Sequence, residues 1–175
     1  MTLSRRHVLK GGIFMAAGAI AGSPLLSQQT SSPPQPQPSA QTGIPDRGPR
    51  LDADLVRQFV IAGHGNLDLV KEMLAHQPAL INATWDWGGG DWETALGGAS
   101  HMGNKPIAEY LLAHGARMDV FCATMMGKTE IVKAYLADDP KVVDLKGPHG
   151  ISLLRHAKAG QQDALVDMLV AKGAR

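Results

Sequence analysis

Glycines that recur with the same apolar spacing behind them constrain this chain more than any other feature. With Gly65, Gly103, Gly127 and Gly160 placed in register, apolar pairs follow four and five residues later: Leu69-Val70, Ile107-Ala108, Ile131-Val132 and Ala164-Leu165. A second set stands eight and nine residues later: Met73-Leu74, Leu111-Leu112, Tyr135-Leu136 and Met168-Leu169. Positions +4, +5, +8 and +9 share one face of a helix. Each such helix follows a glycine turn, and upstream of each glycine a second, shorter helical segment is predicted. A helix pair of this size cannot bury its apolar face alone, so the units must stack. Aromatics make up only 5% of the chain. The core must therefore come from Leu, Val, Ile, Ala and Met, a mix better suited to helices than to a sheet.

The register carries a resemblance. Thr94-Ala95-Leu96-Gly97-Gly98-Ala99-Ser100-His101-Met102-Gly103 resembles the ankyrin signature Thr-Pro-Leu-His-x-Ala-Ala-x-x-Gly, and Leu111-Leu112-Ala113-His114-Gly115-Ala116 resembles its closing Gly-Ala. The fourth unit repeats the pattern from Ile151 to Gly160 and closes on Lys172-Gly173-Ala174. The proline after Thr and the histidine of the signature are missing. The resemblance implies an all-α fold, an ankyrin-repeat α-solenoid of about four helix–turn–helix units with irregular β-fingers, over residues 51–175. The intervals between the glycines are 38, 24 and 33 residues, and only the last equals the ankyrin period. An enlarged finger is expected within Ile81–Glu93, no finger between the second and third units, and an ordinary one near Leu145 to Gly150.

Residues 1–26 read as an export signal. Ser4-Arg5-Arg6-His7-Val8-Leu9-Lys10 precedes an uncharged apolar run from Gly11 to Leu26, the organisation of a signal peptide. The paired arginines resemble the twin-arginine (Tat) motif, which implies a periplasmic or secreted protein. Ala19-Ile20-Ala21 fits a cleavage site. The run is broken by Pro24 and is short of the ~20 residues a membrane span needs, so contact with a membrane is expected only through an uncleaved signal. Residues 27–50, rich in Pro, Gln and Ser, have too little apolar surface to offset ordering entropy and read as a disordered linker. Without Arg5, Arg6 and Lys10 the chain keeps 14 basic against 16 acidic residues. Those charges are interspersed, which argues against a nucleic-acid partner. Cys122 is the single cysteine, so a disulfide within the chain and a Cys-based zinc site are excluded; it reads as a small buried apolar side chain.

The enlarged finger holds all three tryptophans. Trp85, Trp87 and Trp92 flank Gly88-Gly89-Gly90, beside Asp86, Asp91 and Glu93. An aromatic, acidic tip can dock a protein, stack on sugar rings or grip a cation; equally, some of the rings can fold back over the neighbouring helices. The ankyrin resemblance implies that partners also meet the residues before each turn glycine: Gly63-His64, His101-Met102, Met125-Met126 and Lys158-Ala159. The methionines read as adaptable contacts or as core. His64 and His101 lie in neighbouring units, where a shared metal site is conceivable. Hydrogen-bonded surface histidines are the expected reading, and no metal or cofactor is assigned. His76 and His114 suit helix C-termini. Cys122–Thr129 imitates a phosphate loop, but it lacks the first glycine and a preceding strand. The sequence therefore points to a protein-binding module with an unidentified protein partner, not an enzyme, with glycan or small-molecule binding by the tryptophans as the alternative.

Overall fold

The computed structural model describes residues 48–175; the export signal and nearly all of the linker lie outside them. Among the described residues the chain is predominantly helical, with eight α-helices and one two-stranded hairpin. The helices are α1 (Ala53–Gly63), α2 (Leu67–His76), α3 (Ala95–His101), α4 (Lys105–Ala113), α5 (Val120–Met125), α6 (Thr129–Asp138), α7 (Leu153–Ala159) and α8 (Asp163–Ala171). Strands β1 (Thr84–Asp86) and β2 (Trp92–Thr94) lie between α2 and α3.

Helix starts are set locally. Asp52, Asn66, Thr94, Asn104, Asp119 and Ser152 each accept a hydrogen bond from the backbone N–H three residues on. Such caps contribute about 1 kcal/mol each. The helices pack as consecutive pairs, and the first helix of each pair also contacts the first helix of the next. Their buried faces form two apolar clusters. One is centred on Phe59, Val70, Leu80, Ile107 and Leu111, the other on Val132, Leu153, Leu165 and Leu169. Cys122 is fully buried, as expected. The segment that imitates a phosphate loop is the body of α5, its turn and the first residue of α6.

Three expectations need correction. In the first pair the leading helix is not the shorter one, since α1 has 11 residues and α2 has 10. In the fourth, the left-handed turn position held elsewhere by Gly103 (φ +69°) and Gly127 (φ +73°) falls on Gln161 (φ +56°) rather than Gly160. Gly160 instead lies so close to the Met125 carbonyl that no side chain fits there. The last interval is thus 34 residues, from Gly127 to Gln161, and Ser152 rather than Ile151 matches Thr94 as the cap. Met125, expected among the contact residues, is fully buried in the core.

The first two intervals have the expected form, whereas the ordinary finger expected near Leu145 to Gly150 is replaced by 3-10 turns and one bridge. The 38-residue interval contains the β1–β2 hairpin, paired as Thr84 with Thr94, Trp85 with Glu93 and Asp86 with Trp92. No strand separates α4 from α5. Between α6 and α7 lie the 3-10 turns Pro140–Asp144 and Pro148–Gly150 and a single bridge between Lys146 and Ser152. With no strands between α4 and α5, α3 contacts α7 as well as α5, and Gly103, just after α3, lies directly against the Ala159 carbonyl. The loop before α7 is thereby carried up to the β1–β2 hairpin.

Candidate metal centre

Glu93 is the centre of the site. On β2, Trp92 points outward with 59% exposure while its neighbour Glu93 is buried, the alternation a strand imposes. Its carboxylate is therefore set beneath the finger rather than at the tip. Oε2 accepts a hydrogen bond from Trp87 Nε1–H at 2.7 Å. Oε1 lies 2.9 Å from His101 Nε2 on α3. His64 Nε2, at the end of α1, is 3.5 Å from Oε2. His149 Nε2, from the 3-10 turn before α7, is 3.3 Å from Oε2. The Nε2 atoms of His64 and His101 are 3.2 Å apart.

Two of the three imidazoles are fixed from behind. His64 Nδ1 lies 3.0 Å from the Val60 carbonyl, which can only accept, so Nδ1 carries the proton. His149 Nδ1 lies 2.8 Å from Asp91 Oδ2, while the His149 backbone N–H donates to Asp91 Oδ1 at 2.9 Å. In the neutral rings, each Nε2 therefore presents a lone pair to the cluster. His149 is held in left-handed backbone (φ +58°), a conformation that costs a non-glycine residue about 1–3 kcal/mol. The Asp91 clamp spans 58 positions in the chain and offsets that cost.

Small residues make the room. In α3 a side chain at Gly98 would lie 2.8 Å from the His64 ring, and one at Gly97 would lie 3.3 Å from the Glu93 side chain. Two glycines within one short helix each cost roughly 0.5–1 kcal/mol against alanine. Their positions are explained by the imidazole and carboxylate that occupy the space.

Burial pushes the Glu93 carboxyl up. Donation from His101 and Trp87, with the charge that His64 and His101 carry when protonated, outweighs burial and holds it below its ordinary value. Asp91 is also lowered, chiefly by the backbone N–H of His149. Both carboxylates are thus anions at neutral pH. One ligating atom from each of His64, Glu93, His101 and His149 lies within 4.8 Å of the others. Four ligands held tetrahedrally at ~2.0–2.1 Å from a zinc ion would sit about 3.3 Å apart. The three imidazole-to-Glu93 distances, two to Oε2 and one to Oε1, and the His64–His101 distance run from 2.9 to 3.5 Å, around that value. Asp91 behind His149 and the Val60 carbonyl behind His64 occupy the outer positions that orient metal-bound histidines.

The other residues singled out in the sequence divide. Trp87, Asp91 and Glu93 join the centre with His64 and His101, so the two histidines are not separate surface groups. Trp85 is half-buried against the first apolar cluster. Asp86 caps the hairpin turn by accepting from the Gly88 N–H at 2.8 Å. Met102 and Lys158 are exposed, and Met126 is half-buried. His114, as expected at a helix end, has its Nδ1 2.7 Å from the Tyr110 carbonyl. Sequence reasoning missed His149 entirely; its only local signal is a histidine enclosed by Pro148 and Gly150, a turn that is not otherwise distinctive. No protein-family model matches the chain, and no curated protein matches it.

Proposed function

We propose that this chain is an ankyrin-type repeat stack, exported by the Tat route, that binds a divalent transition-metal ion through His64, Glu93, His101 and His149. The observation that carries the reading is the convergence of three imidazoles and one buried carboxylate, with donor atoms within 4.8 Å of one another and two rings already fixed in the tautomer a metal needs. A donor set of three nitrogens and one oxygen, with no thiolate, favours zinc, copper, nickel or cobalt over calcium or magnesium. The helix pairing and finger pattern support the ankyrin-type reading, and the Arg5-Arg6 motif supports export. Neutral histidines at this carboxylate form the alternative, a purely hydrogen-bonded cluster that stiffens the finger. Titration of metal-free protein with Co2+, read from the visible absorption bands and followed by Zn2+ competition, separates the two. One Co2+ bound per chain, and lost in His101→Ala and His149→Ala, is the expected result. Failure to bind Co2+ or Zn2+ at about micromolar concentration would leave only the hydrogen-bonded cluster.

A second reading concerns the outer side of the same finger. Trp92 is 59% exposed and borders a cavity of about 330 Å³ that Phe121, Lys146 and Pro148 also line. An exposed indole above such a groove supports docking of a protein partner, or stacking of a sugar ring. Pull-down from the envelope fraction with Trp92→Ala tests the first, and tryptophan fluorescence titrated with cell-wall fragments tests the second. Unchanged partner recovery and a flat fluorescence response would together remove this surface from consideration.

A further inference from the structure

We propose that the metal centre takes an oxyanion ligand, a carboxylate or a phosphate, whose charge is met by Arg155 and Lys158. The inference rests on the metal reading above and names the class of molecule that the centre would bind. His101 belongs to two features at once. Its Nε2 faces the centre, and its ring also lines a cavity of about 420 Å³ whose other walls are Arg155, Lys158 and Ala159. That volume suits a small organic ligand.

Charge in this region is unbalanced. Every carboxylate oxygen at the centre is already engaged: Asp91 by the backbone and ring of His149, Glu93 by Trp87 and His101. Arg155 and Lys158 are both exposed, three residues apart on one face of α7, and neither side chain has an ion-pair or hydrogen-bond partner among the described residues. A divalent ion on three neutral imidazoles and one carboxylate would carry a net single positive charge. The Asp91 carboxylate behind His149 balances that charge, so Arg155 and Lys158 are the cations left without a protein counter-ion among the described residues, and they wall the cavity that the His101 ring borders. An oxyanion supplies what is missing: one oxygen for the ion, which can expand from four to five ligands, and further oxygens for the Arg155 fork and the Lys158 ammonium. A neutral sugar or an apolar ligand would leave both side-chain charges unpaired.

The test begins with Co2+-loaded protein at constant ionic strength. Inorganic phosphate and malonate are titrated separately, with chloride as the screening control, and the visible Co2+ bands are followed. The expected result is a saturable spectral shift with phosphate, with malonate, or with both; which of them acts identifies the source of the oxyanion. The Arg155→Gln/Lys158→Gln double variant is expected to bind Co2+ as before and to bind the anion about tenfold more weakly or worse. If Co2+ binds but neither anion shifts the bands, the inference is overturned and the metal reading stands. A shift that persists at full affinity in the double variant also overturns it. Failure of Co2+ itself to bind removes the metal reading, and this inference with it.

Discussion

Gly98→Ala is the substitution that best separates the centre from the stack. A methyl group at this position would lie 2.8 Å from both Cε1 and Nδ1 of His64, closer than contact permits. The helix around it gains about 0.5–1 kcal/mol, because alanine loses less backbone entropy than glycine. His64 sits at the end of α1 with its side chain 26% exposed, so the ring can swing toward solvent instead of straining the core. The swing breaks the Nδ1 contact with the Val60 carbonyl, a loss of about 1 kcal/mol. The two effects nearly cancel, so Tm should move by only a few degrees (about 4 °C per kcal/mol for a domain of this size). Metal binding does not cancel. Loss of an orienting outer group alone weakens metal sites about 10–100-fold, and loss of a ligand should weaken this one by about 100-fold or more. Gly63→Ala is the control, since a side chain there would run into the Ala95 backbone, which cannot swing aside. It should cost about 3 kcal/mol or more through overpacking. Thermal melts and Co2+ titrations of the two variants provide the comparison. Wild-type Co2+ affinity in Gly98→Ala, or a Tm loss equal to that of Gly63→Ala, would refute the argument.

Asp91→Asn should lower metal affinity about 10–100-fold with little loss of helicity, because it loosens His149 without touching the core; Co2+ titration alongside circular dichroism checks this. His156 is buried, with its Nε2 unpartnered among the described residues, and burial lowers its pKa from the ordinary 6.5. The unfolded chain then takes up the proton first, so stability is complete above about 6.5 and falls as pH drops toward the lower folded value. Melts between pH 8 and pH 5 should show a smaller loss in His156→Met than in the wild type, and an equal loss would exclude His156 as the cause. The Cys122 thiol is buried and pushed up to about 11; it should react with a thiol reagent at pH 8 only after denaturant is added.

The fold was largely legible because its signals are periodic and local. Apolar pairs four and eight residues behind each turn mark the second helix of a unit wherever it occurs, and caps such as Thr94 and Asn104 mark where helices start. The unequal intervals located the hairpin before α3 and the lack of strands between α4 and α5, since interval length is counted directly along the chain; the finger expected near Leu145 to Gly150 is 3-10 turns and one bridge instead. The fourth register slipped by one residue because Gly160 looks like a turn glycine but serves close packing against Met125, leaving the turn to Gln161. The site was harder to read, because half of it depends on orientation and contact. Glu93 and Trp92 are adjacent acidic and aromatic residues in sequence, and only strand alternation sends one inward and the other outward. Gly97-Gly98 was the available clue. A pair of glycines inside a helix, the first where the ankyrin signature has histidine, means that something else occupies the space.

The missing finger connects the fold to the chemistry. In a stack with equal intervals, a finger would stand between the β1–β2 hairpin and the loop that carries His149. With only 24 residues from Gly103 to Gly127 there is none, and α3 meets α7, with Gly103 of the turn after α3 against Ala159. That contact brings Asp91 and His149 into hydrogen-bonding range across 58 positions of sequence. The same closure sets Arg155 and Lys158 of α7 beside His101 of α3. The place of His149, its contact with the orienting carboxylate and the cationic wall thus all depend on one shortened interval, while His64, Glu93 and His101 come together upstream of it. The irregularity that weakens the likeness to a uniform repeat ladder is what assembles the site.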